Sequence, residues 1–249
     1  MPFEFKGRRV VVAGGSKGIG RSIALGFAEA GAKVSICARG AEALEKTRTE
    51  IAKFGGTAHA ESCDLADGAA IARYIPAAAK ALGGIDVLVN NASGFGPGDD
   101  EASWEASIDV DILATIRASR AALPYLEKTS GGAIINIASG SGLRPSVRTP
   151  AYGAAKAAVI HYTRTQAAML ARKQIRVNCV APGSVEFPGG VWAERKKDDP
   201  ELYKATLANC PAGRMGKPEE VAHVVMFLAS PLASWVTAQI IGVNGGQGL

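Results

Sequence analysis

The fold turns on one stretch, Arg9-Val10-Val11-Val12-Ala13-Gly14-Gly15-Ser16-Lys17-Gly18-Ile19-Gly20. A short β-branched apolar run leads straight into glycines and then into a helical pattern over 18–30. Glycines at that junction let the chain turn sharply off a strand and let backbone approach a pyrophosphate. The helix start that follows offers free N–H groups and a positive dipole end to phosphates. Gly14, Ser16, Lys17, Gly18, Ile19 and Gly20 are therefore the candidates to hold a dinucleotide. Their spacing is GxxxGxG rather than GxGxxG. A tight turn without ligand is the bland alternative, disfavoured by the position of the loop between a first strand and a first helix.

The same alternation continues outward. Apolar runs at Lys33–Ala38, Thr57–Cys63, Ile85–Asn90, Ala133–Ala138, Ile175–Val180 and Val236–Val243 read as strands covered on both faces. Helical patterns lie near 41–54, 67–82, 101–127, 151–171 and 217–229. Strand, helix, strand, repeated, predicts a single α/β domain over residues 1–249, with a doubly wound, mostly parallel seven-stranded sheet and helices on both faces. Residues 184–213, with three Gly and three Pro, show no clear pattern and read as an irregular substrate lid.

Composition narrows the function classes. The 249 residues are 47% hydrophobic and 20% charged, which excludes disorder as the main state. The net charge of +5 is spread out, and the densest basic run, Arg195-Lys196-Lys197, is followed at once by Asp198-Asp199, so no nucleic-acid face is expected. Four separated cysteines and three histidines form no CxxC, HExxH or CxxH, which gives a metal site no support and suggests buried thiols. The N-terminus lacks signal-peptide order and no apolar run reaches the roughly 18 residues of a membrane span, so the expected address is the cytoplasm.

The second strand run ends Cys37-Ala38-Arg39-Gly40. An acidic residue there would bind the ribose 2′-hydroxyl of NAD, whereas Arg accommodates the 2′-phosphate of NADP. Arg39, with Lys17 in the glycine loop, favours NADP(H) over NAD(H); the alternative is a pair of solvated cations. Near the middle, Tyr152-Gly153-Ala154-Ala155-Lys156 places a phenol and an ammonium on one helix face. The positive charge favours phenolate, which makes Tyr152 an expected proton donor and acceptor. Ser139 falls at the end of the fifth strand run, the edge where such sheets bind ligands.

Together these residues resemble the short-chain dehydrogenase/reductase family, in its branch of about 250 residues, a Rossmann-fold family. Ala13–Gly20 matches its TGxxxGxG, Asn90-Asn91-Ala92-Ser93 its NNAG and Tyr152–Lys156 its YxxxK. Ser139 stands at the family's spacing before Tyr152, Pro182-Gly183 is its Pro-Gly, and Gly213 through Ala222 matches its late GR-x-G-x-P-E-E-V-A stretch. The resemblance implies Tyr152 as acid/base, Lys156 on the nicotinamide ribose, Ser139 on the carbonyl, Asp64 and Leu65 at the adenine, Asn91 and Ala92 along the adenosine ribose, and Pro182, Gly183 and Val185 against the nicotinamide. It also implies a homotetramer, or a homodimer, paired through the helices 101–127 and 151–171 and the last strand.

The chain departs from the family pattern at Ala13, Ser93, Phe187 and Asp111, where Thr, Gly, Thr and Asn are usual. A carboxylate at Asp111 would raise the Lys156 pKa if close, so Asp111 joins the catalytic candidates; a carboxylate bonded within its own helix is the alternative. The pattern is similar to 3-oxoacyl-carrier-protein reductases and to reductases of steroids, sugars or quinones. The expectation is an NADP(H)-dependent ketone reductase, with a 3-oxoacyl compound as a candidate substrate, or the reverse alcohol oxidation. An NAD-linked alcohol, sugar or steroid dehydrogenase and a cofactor binder without turnover are the alternatives. Phe95, Phe187, Val191 and Trp192 suggest a partly apolar pocket; Arg144 and Arg148 read as solvated cations or as a greeting for an anionic substrate handle.

Overall fold

The computed structural model describes residues 3–248. In chain order the elements are β1 (Arg9–Ala13), α1 (Gly18–Glu29), β2 (Lys33–Ala38), α2 (Ala41–Ala52), β3 (Ala58–Ser62), α3 (Gly68–Leu82), β4 (Val87–Asn90), α4 (Glu101–Ala106), a π turn (Ser107–Leu113), α5 (Ala114–Leu126), β5 (Ala133–Ile137), α6 (Pro150–Leu170), β6 (Arg176–Pro182), α7 (Val191–Asp198), α8 (Pro200–Ala208), α9 (Pro218–Ala229) and β7 (Ile240–Val243). The seven strands pair in the order β3-β2-β1-β4-β5-β6-β7, every pair parallel. The direction of winding reverses between β1 and β4, and ligands of such sheets bind at that switch point.

β1 shows why the sheet needs two covers. Val10 and Val12 join one core with Phe27 of α1, Ile51 of α2 and Val225 of α9. Val11 and Ala13 join a second core on the opposite face, with Ile75 of α3, Ala118 of α5 and Leu170 of α6. Alternate side chains of a strand point to opposite faces, so an unbroken apolar run is what burial on both sides requires.

Three expectations are corrected. Residues 101–127 are not one helix: they divide into α4, the π turn and α5. Residues 184–213 are not irregular, because they carry α7 and α8. The last strand is shorter than Val236–Val243. Its first residues are drawn off instead: the Val236 carbonyl accepts the Asn178 amide at 2.8 Å, and Ala238 takes a φ of +62°. No helix of the described residues is long and apolar enough to cross a membrane, and all four cysteines are free and buried.

Candidate active site

The glycine loop leaves β1 at the switch point. Gly14 and Gly15 both donate to the Cys37 carbonyl, at 3.0 and 3.1 Å, which ties the loop to the end of β2. Gly14 has a φ of +83°, and a Cβ there would come within 2.8 Å of Ala92. At Gly20 a Cβ would overlap the Gly14 carbonyl and the Asn91 amide. The Asn91 side chain donates to the Gly14 carbonyl at 2.8 Å, so its amide braces the loop from β4 rather than reaching outward.

The start of α1 is left open. α3 and α8 are capped by Asp67 and Asp199, whereas Lys17 gives α1 no side-chain cap and its first turn holds no acid. Uncapped N–H groups at a helix start attract an anion, and an acid there would repel one. This loop therefore fits the phosphates of a dinucleotide. Lys17 and Arg39 are exposed and join no ion pair among the described residues, so neither charge is spent internally. Asp64 is exposed just past β3, where it accepts the Ala66 N–H at 3.0 Å, and Leu65 beside it is buried.

At the other side of the switch point, β5 ends at Ile137 and Ser139 caps a short 3₁₀ turn, accepting the Ser141 N–H at 3.1 Å. The Ser139 hydroxyl proton stays available to donate. Pro150 opens α6, and Tyr152 and Lys156 follow on one side of its first two turns. The Lys156 ammonium lies 5.5 Å from the centre of the Tyr152 ring. It donates to the Ile137 carbonyl at 2.9 Å and meets Asp111 Oδ1 at 2.8 Å. Burial works against the Lys156 charge, but the Asp111 carboxylate, Tyr152 and Cys179 together outweigh burial and hold the ammonium above the usual lysine range. The ring of Phe95, from the loop after β4, meets Tyr152 edge-on at 5.1 Å between centres.

Pro182 ends β6 and Gly183 donates to the Val243 carbonyl at 3.0 Å. Val185 is buried and bridges to Gly216. The Phe187 ring rests on Gly18 and Gly190, where any Cβ would overlap it. The segment after β6 thus meets the glycine loop through an apolar contact. Arg144 and Arg148 are exposed.

Several supports went unread in the sequence. Ser119, Asn90, Asn136 and Thr163 form a buried ladder of hydrogen bonds across β4 and β5, with links of 3.1, 2.9 and 3.0 Å. Gln247 accepts the Ser184 N–H at 2.7 Å and anchors the start of the segment after β6. Polar residues inside otherwise apolar strands were a visible signal for the first; nothing local marks the second.

The site is that of a dinucleotide-binding α/β oxidoreductase, and comparison with known proteins agrees. A family model described as enoyl-(acyl carrier protein) reductase matches residues 13–247. The 7α-hydroxysteroid dehydrogenase of Escherichia coli K12 is 34% identical over 243 residues, covering 96% of this chain and 94% of that protein. The 3-oxoacyl-[acyl-carrier-protein] reductase FabG of Thermotoga maritima is 35% identical over 250 residues, 98% of each. Among solved structures, a 7α-hydroxysteroid dehydrogenase with NADH and 7-oxo glycochenodeoxycholic acid superimposes with a TM-score of 0.91 at 34% identity, covering 98% of this chain and 95% of that one. An NADPH-bound short-chain oxidoreductase of Pseudomonas aeruginosa PAO1, described as containing an atypical catalytic centre, does so with a TM-score of 0.89 at 36% identity and 98% coverage of both. The chain belongs to the short-chain dehydrogenase/reductase family and is an oxidoreductase of the CH–OH/C=O type.

Proposed function

We propose that the protein is an NADP(H)-dependent reductase of a ketone, with a 3-oxoacyl or alicyclic substrate, working reversibly. The observation that carries this reading is the buried Lys156 ammonium behind the Tyr152 ring, at the strand edge that also holds Ser139. When bound, the reduced nicotinamide supplies hydride to the carbonyl carbon. The Ser139 hydroxyl donates to the carbonyl oxygen and holds it in place. The Tyr152 phenol hands its proton to that oxygen as charge develops there, and Lys156 holds the phenol's surroundings positive. Tyr152→Phe keeps the ring contact with Phe95 and removes the hydroxyl that carries the proton. Turnover with a ketone panel is expected to fall about 10³-fold or more while cofactor still binds. Equal rates would defeat the assignment.

The cofactor preference rests on Lys17 and Arg39, two uncommitted cations at the adenosine end with no acid at the end of β2. Titration by fluorescence should show NADPH binding more tightly than NADH, and Arg39→Asp should weaken NADPH by roughly 10–100-fold through lost pairing and new repulsion. An unmoved preference would favour the second reading, an NAD-linked dehydrogenase of a steroid-like alcohol. That reading draws on the NADH-bound steroid dehydrogenase among the similar structures and on the apolar wall at Phe95. A homotetramer or homodimer stays part of the proposal; Met169 on α6 and the fully exposed Trp235 supply apolar surface for it.

A further inference from the structure

We propose that Asp111 is a positioning residue that couples Lys156 to the wall of the substrate crevice, and that this coupling requires a carboxylate rather than its amide. The inference rests on Tyr152 and Lys156 being the proton-transfer pair. Asp111 sits in the π turn with its side chain fully buried. Its two oxygens face two different donors. Oδ1 meets the Lys156 ammonium at 2.8 Å, and Oδ2 accepts the Gly94 N–H at 3.2 Å. An amide owns one oxygen and one NH₂ group. Turned one way, Asn would point its NH₂ at the Gly94 N–H; turned the other, it would point it at the ammonium. Either choice leaves two donors facing each other without solvent, which is costly.

Gly94 opens the segment Gly94-Phe95-Gly96, and its far end is tied to the same π turn, where Ser107 Oγ accepts the Gly96 N–H at 3.2 Å. Both glycines lie hard against helix backbone: a Cβ would overlap the Ala106 carbonyl at Gly94 and the Ser103 carbonyl at Gly96. Between these tethers Phe95 is held at a φ of +44°, a left-handed conformation that a bulky aromatic residue rarely adopts. That conformation presents its ring to Tyr152. One carboxylate therefore fixes the lysine on one side and the aromatic wall on the other. The titratable and charged groups facing Lys156 are Asp111 from the π turn, Tyr152 from α6 and Cys179 from β6, so Asp111 is its one acidic partner among the described residues.

The test is Asp111→Asn, with wild type and variant compared loaded with NADPH. Amide exchange over Gly94–Gly96 is expected to quicken about tenfold or more, since the segment loses a tether. In turnover, the high-pH limb of the rate profile is expected to move down by about one pH unit, because burial of Lys156 loses its main opposing charge, and KM is expected to rise with the loosened wall. Exchange and pH limb both as in wild type would overturn the proposal, even with a slower rate, since a slower rate alone is what a purely structural residue would give. Ser107→Ala is the companion variant. It should quicken exchange at Gly96 and raise KM while leaving the pH limb in place; a shifted limb there would equally overturn the division of roles. Should Tyr152→Phe retain activity, the reading of the proton-transfer pair fails, while the exchange measurement still decides the tethering.

Discussion

Two buried carboxylates, Asp86 and Asp111, sit at opposite ends of the same parallel sheet, and their bonding differs. Asp86 precedes β4 at the edge where β1 begins. It accepts the Arg9 backbone N–H, Arg9 Nε and Arg9 Nη2, each at 2.8 Å, and the Thr129 hydroxyl at 2.6 Å. Burial pushes this carboxyl up, yet the Arg9 fork, Thr129 and Arg8 pull it down to about 2. Asp111, at the ligand-binding edge, has one backbone donor on Oδ2 and an ion pair with Lys156 on Oδ1, and the one hydrogen bond that lysine makes among the described residues goes to the Ile137 carbonyl. A carboxylate with every lone pair answered by a rigid fork is a staple. A carboxylate paired with a lysine that still has an N–H to give belongs to a site that works on something else. Burial and ion pairing alone do not distinguish the two; the count of unused donors does.

The contrast predicts where each substitution is felt. The largest effect on stability is expected from Asp86→Ala, a loss of about 2–3 kcal/mol in urea unfolding, since Arg9 keeps part of its side chain in water and the full cost of a broken buried pair is not reached. Turnover per folded molecule should not change; a specific loss of activity would erase the distinction between the two ends. Acid sharpens the same point. Because the folded Asp86 is depressed below its unfolded value near 3.9, its contribution is complete above that pH and disappears as pH falls through about 2. Between those limits wild type should lose about 1–2 kcal/mol more than Asp86→Ala does, a difference read from urea midpoints across pH. The smallest effect is expected from Glu220→Gln. The Glu220 carboxyl is also held at about 2, by Arg214 at 2.9 Å first and then by the Lys217 N–H, but the pair lies in solvent. Its removal should cost less than about 1 kcal/mol; a larger loss would mean that donor count and low pKa, rather than burial, govern the staple.

Much of the fold was legible from the residues. β1 and β2 run over Arg9–Ala13 and Lys33–Ala38, as their apolar runs suggested, because a strand buried on both faces must be apolar along its whole length. α7 escaped notice for the converse reason. Val191–Asp198 is mostly charged and buries none of its residues, so no apolar stripe betrays it. The π turn was equally invisible within 101–127, since side chains that face the core at an α-helical period continue almost in step through one widened turn. In the candidate site, Tyr152, Lys156 and the glycine loop were readable because their spacing is short. The roles of Ser107 and Gln247 were not, because each acts on backbone brought to it from elsewhere in the chain.

Local chemistry was therefore enough to specify the strands, the phosphate loop and the helical pairing of phenol with ammonium: each depends on residues within a turn or two of one another. Packing alone decided what Asp111 touches. Its two donors, Gly94 and Lys156, come from a loop after β4 and from α6, and only the folded sheet edge brings both within reach of a single carboxylate. An isolated sequence shows that an acid stands at that position; the direction of its two oxygens is a property of the assembled crevice.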